Sequence, residues 1–234
     1  MRILVIENDP EVPTGRLEHA ATDAGHELLL VRVYEGDSVP RFDLFDAVVV
    51  LGGGMGAYET DRYPFLAEEK IFLREAVSRN VPVLGLCLGA QLLADTLGGR
   101  AYRSQRTEAG LVSLAIHTDG DPLGDALGSG RLLIFHRDTF DVPADAVVVA
   151  TAGGFVQGFR CGSAVGLQPH PDVTRETLDA WIDHPGSHDI LEGAGVVAAD
   201  LRAEAAEASV ELSEVALAVF QAWFAEAAPR DASS

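Results

Sequence analysis

The chain has 234 residues, 47% of them hydrophobic, and a formal net charge of −19 at pH 7. This length is sufficient for one substantial core. The excess of Asp and Glu argues against nucleic acid or an anionic membrane surface as a partner, because both require clustered Lys and Arg. We expect a single domain, residues 1–228, followed by a short C-terminal tail, residues 229–234.

The first residues of the chain do not predict a targeting signal. Residues 3–6 form an apolar run that is too short for a signal peptide and is typical of a first strand. No apolar stretch approaches the roughly 20 residues of a membrane span. Two cysteines do not form a disulfide framework. These features favour a cytoplasmic protein that does not contact a membrane.

The first part of the chain alternates apolar runs with helical patterns. The runs at residues 3–6, 27–33 and 46–51 predict buried strands. Thr14 is of a type that caps helices and precedes the first helical pattern, and residues 64–79 predict an amphipathic helix. This alternation predicts an α/β fold with a doubly wound, mostly parallel sheet and flanking helices.

A glycine cluster, Gly52, Gly53 and Gly54, follows the third predicted strand. Glycines at a strand end can cradle a phosphate. This cluster lacks both the Lys-Ser/Thr pair of a P-loop and the spacing of a dinucleotide fingerprint. From these residues alone, a plain turn is the alternative to a binding role.

A cysteine stands between two glycines in the middle of the chain. An apolar run ends at Gly85, Cys87 follows it, and a helical pattern begins immediately afterwards. This predicts a strand, a sharp turn and a helix. Cys87 would then lie at the carboxyl edge of a sheet, beside a helix N-terminus that favours a thiolate. It is either an activated nucleophile or a small buried hydrophobic residue, as most lone cysteines are.

Shorter strand-like runs follow residue 100 and predict a small antiparallel extension of the sheet. They are residues 110–116, 131–135, 146–150, 155–160 and 164–167. His136 and Asp138 follow the second of these runs, and from these residues alone a surface loop is the alternative to a role in the site.

A histidine and a carboxylate follow the last of these runs. His170 comes shortly after the run, and Asp172 stands two positions beyond it. A cysteine, a histidine and a carboxylate, each at the end of a strand, fit a nucleophile, its general base and the group that orients the base. We therefore predict that Cys87, His170 and Asp172 are catalytic.

The C-terminal part is predicted to be helical at residues 174–181 and 187–228. The second stretch has an apolar stripe that packs against the sheet or forms a homodimer contact: Val215, Leu217, Val219, Phe220, Trp223 and Phe224. His184 and His188 have the spacing of a metal pair, but Pro185 and Gly186 interrupt the helix between them. We expect no metal site.

Four segments, in order, resemble the class I glutamine amidotransferases. The nucleophile motif of that family, Gly-x-Cys-x-Gly-x-Gln, is matched by Gly85, Cys87, Gly89 and Gln91. Its His-Pro-Glu motif is matched by His170 and Pro171, with Asp172 in place of the glutamate. Residues 51–58 and 135–143 resemble its GMP-synthase-like stand-alone members. The resemblance covers nearly the whole chain and implies a flavodoxin-like fold.

The resemblance also implies roles for further residues. The backbone N–H groups of Gly53 and Leu88 would form the oxyanion hole. The implied substrate-binding residues are Gly54, Met55, Gln91, His136, Arg137 and Asp138. The family usually has proline at Gly54 and glycine at Arg137, where the guanidinium could bind a carboxylate. A solvent-facing Gln91 is the alternative from the sequence alone.

The implied reaction is attack of Cys87 on the side-chain amide of glutamine or of a γ-glutamyl small molecule. It proceeds through a γ-glutamyl thioester, releases ammonia or an amine, and requires no cofactor. Three interpretations stay open. The chain could be a glutaminase that feeds a separate synthase subunit, a stand-alone γ-glutamyl peptidase or transferase, or a non-catalytic binding module that retains the fold.

Overall fold

The computed structural model describes residues 1–228, so the predicted tail, residues 229–234, lies outside the described residues. The strands are β1 (Arg2–Glu7), β2 (Glu27–Arg32), β3 (Ala47–Val50), β4 (Val83–Leu86), β5 (Arg100–Ser113), β6 (Ala115–Ile116), β7 (Arg131–Asp141), β8 (Val147–Ala152), β9 (Phe155–Cys161) and β10 (Ala164–Leu167). The helices are α1 (Arg16–Asp23), α2 (Phe65–Ser78), α3 (Leu88–Thr96), α4 (Pro122–Leu127), α5 (Arg175–Asp183), α6 (His188–Ala194), α7 (Ala198–Glu207) and α8 (Ser209–Ala227).

The main sheet has eight strands in the order β2-β1-β3-β4-β10-β9-β8-β6. The strands from β2 to β10 in this order run parallel to one another. β9, β8 and β6 continue the sheet with antiparallel pairing. The predicted doubly wound, mostly parallel sheet with an antiparallel extension is therefore confirmed.

β5 and β7 pair with each other in a separate antiparallel sheet. The sequence predicted strands only at residues 110–116 and 131–135, and so missed most of β5 and the second half of β7. The polar run at residues 103–108 hides β5, because this strand is largely half-buried or exposed and has no continuous apolar pattern. The surface-loop alternative for His136 and Asp138 is wrong, since both lie within β7.

Hydrophobic side chains fill both faces of the main sheet. The face covered by α2 and α3 includes Leu4, Ile6, Val48, Val50, Leu66, Leu73, Leu92 and Leu93. The opposite face, covered by α1, α4 and α8, includes Ile3, Val5, Val49, Leu17, Leu123, Phe220 and Trp223. Most of the apolar stripe on α8 is buried within the chain, and only Leu217 is partly exposed. This confirms the interpretation that the stripe packs inside the protein.

The start of α1 differs from the prediction, because Thr14 does not cap the helix. The cap residue is Gly15, with φ 51°, and the Thr14 hydroxyl donates to Glu18 Oε2 at 3.3 Å. The backbone N–H of Arg16 instead donates to the carbonyl oxygen of Asp172 at 2.8 Å. A tertiary contact thus replaces the side-chain cap and fixes the α1 terminus against the loop after β10.

None of the helices in residues 1–228 is by itself long and apolar enough to cross a membrane. α7 and α8 meet those criteria only as a pair, by length and composition, and their axes are bent by 71° at the junction.

Candidate active site

Three predicted site segments meet at one edge of the main sheet. β3, β4 and β10 are neighbours and run parallel, so the residues after their carboxyl ends converge. A Cβ atom added to Gly52 would lie 3.0 Å from His170 Cε1 and 3.6 Å from Cys87 Cβ. The glycine cluster therefore contacts both the cysteine and the histidine.

Cys87 occupies a sharp turn between β4 and α3. Its φ of 51° and ψ of −104° are rare for a residue with a side chain. Its backbone N–H donates to the carbonyl oxygen of Leu167 at 2.8 Å, which joins the turn to β10. The glycines that flank Cys87 are required because other backbone atoms approach them closely. A Cβ atom on Gly85 would lie 2.5 Å from the Gly89 backbone, and one on Gly89 would clash with the carbonyl of Val50.

The second group consists of His170 and Asp172. His170 Nδ1 lies 3.2 Å from Asp172 Oδ1, and the two residues are only 3% and 1% exposed. Asp172 therefore reaches the imidazole although it is one methylene shorter than the glutamate of the family motif. The Trp181 ring packs edge-on against His170, with ring centroids 4.8 Å apart, and its Nε1–H donates to the Glu11 carbonyl at 2.7 Å.

The charges near His170 favour its protonated form. Burial alone would lower the pKa of His170, but the nearby Cys87 and Asp172 raise this pKa to about 10. Because Nδ1 faces Asp172, Nε2 is the ring atom that can exchange a proton with the Cys87 sulfur. The arrangement therefore favours an imidazolium beside the Cys87 sulfur.

The glycine cluster packs tightly beside Cys87. A Cβ atom on Gly53 would lie 2.6 Å from Met55 Sδ and 2.9 Å from Leu88 Cδ2, so a side chain at this position would force both neighbouring side chains to shift. Leu88 is the first residue of α3, where backbone N–H groups have no partner inside the helix. The Gly54 N–H donates to Asp9 Oδ2 at 2.9 Å. The oxyanion-hole roles of Gly53 and Leu88 stay predictions.

Gln91 and His136 connect α3 to β7. Gln91 is buried, and its Nε2 donates to the backbone carbonyl of Asp138 at 3.1 Å. The solvent-facing alternative for Gln91 is therefore wrong. His136 Nδ1 lies 2.9 Å from the same carbonyl, and its Nε2 lies 3.2 Å from Glu108 Oε2. These contacts tie His136 to both strands of the small sheet.

Arg137 faces the cavity beside Cys87. Its guanidinium donates to the Gly54 carbonyl at 3.2 Å and has no carboxylate partner among the described residues. It is the only Lys or Arg among the described residues that line this cavity of about 380 Å³. All eleven predicted site residues except Leu88 and Asp172 line the cavity: Cys87, His170, Gly53, Gly54, Met55, Gln91, His136, Arg137 and Asp138.

Several residues that support the site were not among those predicted from the sequence. Gln168 Nε2 donates to Cys87 Sγ at 3.4 Å, and Gln168 Oε1 accepts from Gln91 Nε2 at 3.4 Å. The position of Gln168, two residues before His170 in an extended segment, could have identified it, since such residues share a face. Glu108 and Trp181 gave no such signal, because they reach the site only through tertiary packing.

Comparison with known protein families identifies the family of this chain. The model of the family "Glutamine amidotransferase class-I" matches residues 13–182, most of the chain. The chain belongs to this family. Membership implies hydrolysis of a glutamine amide, and it confirms the resemblance derived from the sequence.

Relatives of the amidotransferase include proteins of two kinds. The glutamine amidotransferase-like protein YfeJ of Salmonella typhimurium is 28% identical over 79% of this chain and 81% of its own length. The glutamine-hydrolyzing GMP synthase of Aeropyrum pernix is 33% identical over 65% of this chain, which spans only 29% of that synthase. A solved glutamine amidotransferase structure from Thermotoga maritima is 30% identical, covers 95% of this chain and 97% of its own, and has a TM-score of 0.84.

Proposed function

We propose that this amidotransferase cleaves the side-chain amide of glutamine, or of a γ-glutamyl amide, through a γ-glutamyl thioester on Cys87. The observation that carries the proposal is the convergence of Cys87 and His170 at one sheet edge, with Asp172 3.2 Å from the histidine ring. A nucleophile, a base and an orienting carboxylate in this order are the elements of cysteine-dependent acyl transfer.

In the first step the Cys87 thiolate attacks the amide carbon, after its proton has moved to His170 Nε2. The amide oxygen becomes an oxyanion, which the backbone N–H groups of Gly53 and Leu88 stabilise. Each such donor contributes about 3 kcal/mol in other acyl-transfer sites. Asp172 holds the protonated imidazole in orientation through Nδ1.

In the second step His170 donates its proton to the departing nitrogen, the C–N bond breaks, and ammonia or an amine leaves. A water molecule then attacks the thioester carbon while His170 accepts a proton from it. The C–S bond breaks, the glutamyl acid is released, and the proton returns to the Cys87–His170 pair. No cofactor is needed to balance these steps.

We further propose that Arg137 binds the α-carboxylate of the glutamyl group. Its guanidinium faces the cavity and has no carboxylate partner among residues 1–228, although the chain carries a net charge of −19. Arg is suited to this role because its planar fork matches a carboxylate. Gln91 and Asp138 border the same cavity and complete the contact surface for the substrate.

The fate of the released ammonia is a separate proposal. Several relatives are glutamine-hydrolyzing GMP synthases, which supports transfer of ammonia to a synthase partner. The competing proposal is direct action on a γ-glutamyl amide. Steady-state rates with glutamine and with a γ-glutamyl anilide distinguish the two proposals. An enzyme that needs no synthase partner should turn over at least one of these substrates as fast in isolation as it does with a synthase present.

The first test of the proposed function is covalent labelling with a glutamine-derived diazo-ketone, followed by mass spectrometry. We expect a single adduct on Cys87 that is absent from Cys87→Ala. Cys161→Ala is the matched control, since Cys161 is the second free cysteine of the chain and lies at the end of β9. Cys87 that reacts with iodoacetamide but not with the diazo-ketone would contradict a glutamine pocket and support the binding-module alternative.

A further inference from the structure

A second buried carboxyl is linked through Asn8 to the glycine cluster. Glu69 of α2 is 1% exposed, and Asn8, which follows β1, is fully buried. Asn8 Nδ2 lies 3.5 Å from Glu69 Oε1 and 3.4 Å from the carbonyl oxygen of Leu51, the residue before the glycines. One amide thus connects a helix carboxyl to the end of β3.

The Asn8–Glu69 pair also contacts the proposed oxyanion hole. A Cβ atom on Gly53 would lie 3.4 Å from Asn8 Cβ and 2.9 Å from Leu88 Cδ2, so Asn8 and Leu88 both border the space beside this glycine. The Asn8 amide also donates to the carbonyl oxygen of Leu51, two residues before Gly53. Movement of Asn8 would therefore shift the chain that leads into Gly53.

The polar groups of this pair are incompletely satisfied. Asn8 Oδ1 and Glu69 Oε2 are buried and have no hydrogen-bond partner among residues 1–228. Burial, which the hydrogen bond from Asn8 and the charge of Lys70 only partly offset, raises the pKa of Glu69 to about 8. A protonated Glu69 is uncharged and supplies an O–H donor in a region that otherwise offers only spare acceptors.

The charged groups on neighbouring elements are engaged elsewhere. Lys70 pairs with Asp95 of α3 at 2.6 Å, and Glu7 of β1 pairs with Arg32 of β2 at 3.0 Å. Asp9 accepts the Gly54 N–H, and neither β3 nor β4 contains a titratable residue. On α2, Glu68 and Arg74 are exposed. Within the described part of the chain, no counter-charge on these elements is therefore free to stabilise an ionised Glu69.

We propose that Asn8 and protonated Glu69 are positioning residues for the Gly53 amide, and that ionisation of Glu69 displaces this amide and slows the reaction. The inference rests on the proposed function. Because an oxyanion forms only in the transition state, displacement of its donor should lower kcat and leave KM nearly unchanged.

The experiment measures kcat and KM for glutamine and a γ-glutamyl anilide from pH 6 to pH 10 in the full chain. In Glu69→Gln the side chain keeps its shape and stays uncharged. We expect its kcat near that of the unmodified protein at pH 6, and a decline at high pH that begins at least one pH unit later. Glu68→Gln is the matched control, because this exposed neighbour undergoes the same chemical change.

A second variant, Asn8→Leu, removes the amide and retains a similar volume. We expect kcat to fall about 10- to 100-fold with KM within threefold, in line with the loss of one oxyanion donor. Identical pH profiles for Glu69→Gln, Glu68→Gln and the unmodified protein would overturn the positioning proposal and leave the proposed function intact. Absence of turnover in the unmodified protein, with no diazo-ketone adduct, would instead overturn the proposed function. If Glu69→Gln folds poorly, the kcat and KM of Asn8→Leu decide the matter.

Discussion

The two sides of the cavity are built differently. We call Cys87 and His170, together with Asp172 beside the histidine ring, the inner wall. Arg137 and Asp138, together with Tyr58, which bonds to Asp138 outside the cavity lining, are the rim. The inner wall follows adjacent parallel strands of the main sheet, and its residues are 6%, 3% and 1% exposed. Two of the rim residues lie on β7 of the separate small sheet, and all three are partly or largely exposed.

This difference in burial predicts different roles for the inner wall and the rim. Buried side chains held by neighbouring strand ends keep one geometry, as bond making and breaking require. Half-exposed side chains on a small sheet contribute to binding the substrate. We therefore expect substitutions in the inner wall to lower kcat and substitutions in the rim to raise KM.

Among the residues of the inner wall, substitution of His170, the proposed general base, should have the largest effect on kcat. His170→Asn should lower kcat for glutamine about 10⁴-fold or more, because neither the thiol proton nor the leaving-group proton can then be transferred. Ammonia release measures this loss. His117→Asn, at an exposed position, should retain full activity. A loss of less than tenfold in His170→Asn would remove the histidine from the mechanism.

The orienting carboxylate should have the next largest effect. Asp172→Asn should lower kcat about 10³- to 10⁴-fold, because the amide holds the imidazole in the wrong tautomer and cannot stabilise the imidazolium. Asp172→Glu restores the family residue and should retain more activity than Asp172→Asn. Asp23→Asn on the exposed surface of α1 is the matched control. Equal rates for Asp172→Asn and the control would contradict the proposed role of the inner wall.

The buried carboxyl of Glu69 should affect the free energy of unfolding. The folded-state pKa of Glu69, about 8, lies above its usual value of 4.5, so the folded protein binds the proton more tightly. Its contribution to the free energy of unfolding is full below pH 4.5 and falls by about 1.4 kcal/mol per pH unit up to about pH 8.

Urea denaturation across this window measures the difference between the unmodified protein and Glu69→Gln. The variant should gain stability relative to the unmodified protein as the pH rises from 5 to 8. Glu68→Gln should show a constant difference, because its side chain is exposed in both states. A constant difference for Glu69→Gln as well would contradict the raised pKa.

The rim should produce a smaller effect of another kind. Arg137→Met should raise KM for glutamine about 10- to 100-fold with kcat within a few-fold, since one charge-assisted contact to a carboxylate is lost. Arg74→Met, on the exposed face of α2, is the matched control. A fall in kcat at unchanged KM would show that Arg137 acts in the chemical steps and not in substrate binding. This result would contradict the expected difference between the inner wall and the rim.

The smallest effect is expected at the outer edge of the rim. The Tyr58 hydroxyl donates to Asp138 Oδ2 at 3.1 Å, but Tyr58 is 45% exposed. Because water can replace this hydrogen bond, Tyr58→Phe should change kcat/KM by less than about threefold. Steady-state kinetics with glutamine tests this, and a tenfold change would extend the binding surface to Tyr58.

The sequence by itself determined the elements whose signals are local. Continuous apolar runs predicted the buried parallel strands, because such strands have no polar face. The glycine frame of Cys87 predicted the sharp turn, since the approach of Gly85 to Gly89 permits no side chain. Strand-end polar residues then predicted a common edge for Cys87, His170 and Asp172.

Only the tertiary structure decided the rest. β5 is polar and half-exposed, so its pairing with β7 left no apolar pattern, and His136 and Asp138 were assigned to a loop instead of a strand. The start of α1 depends on the Asp172 carbonyl, far away in the chain. The contact between Asn8 and Glu69 likewise joins residues on separate elements. Contacts between residues far apart in the chain produce no periodic pattern in the sequence. They can therefore be identified only in the folded structure.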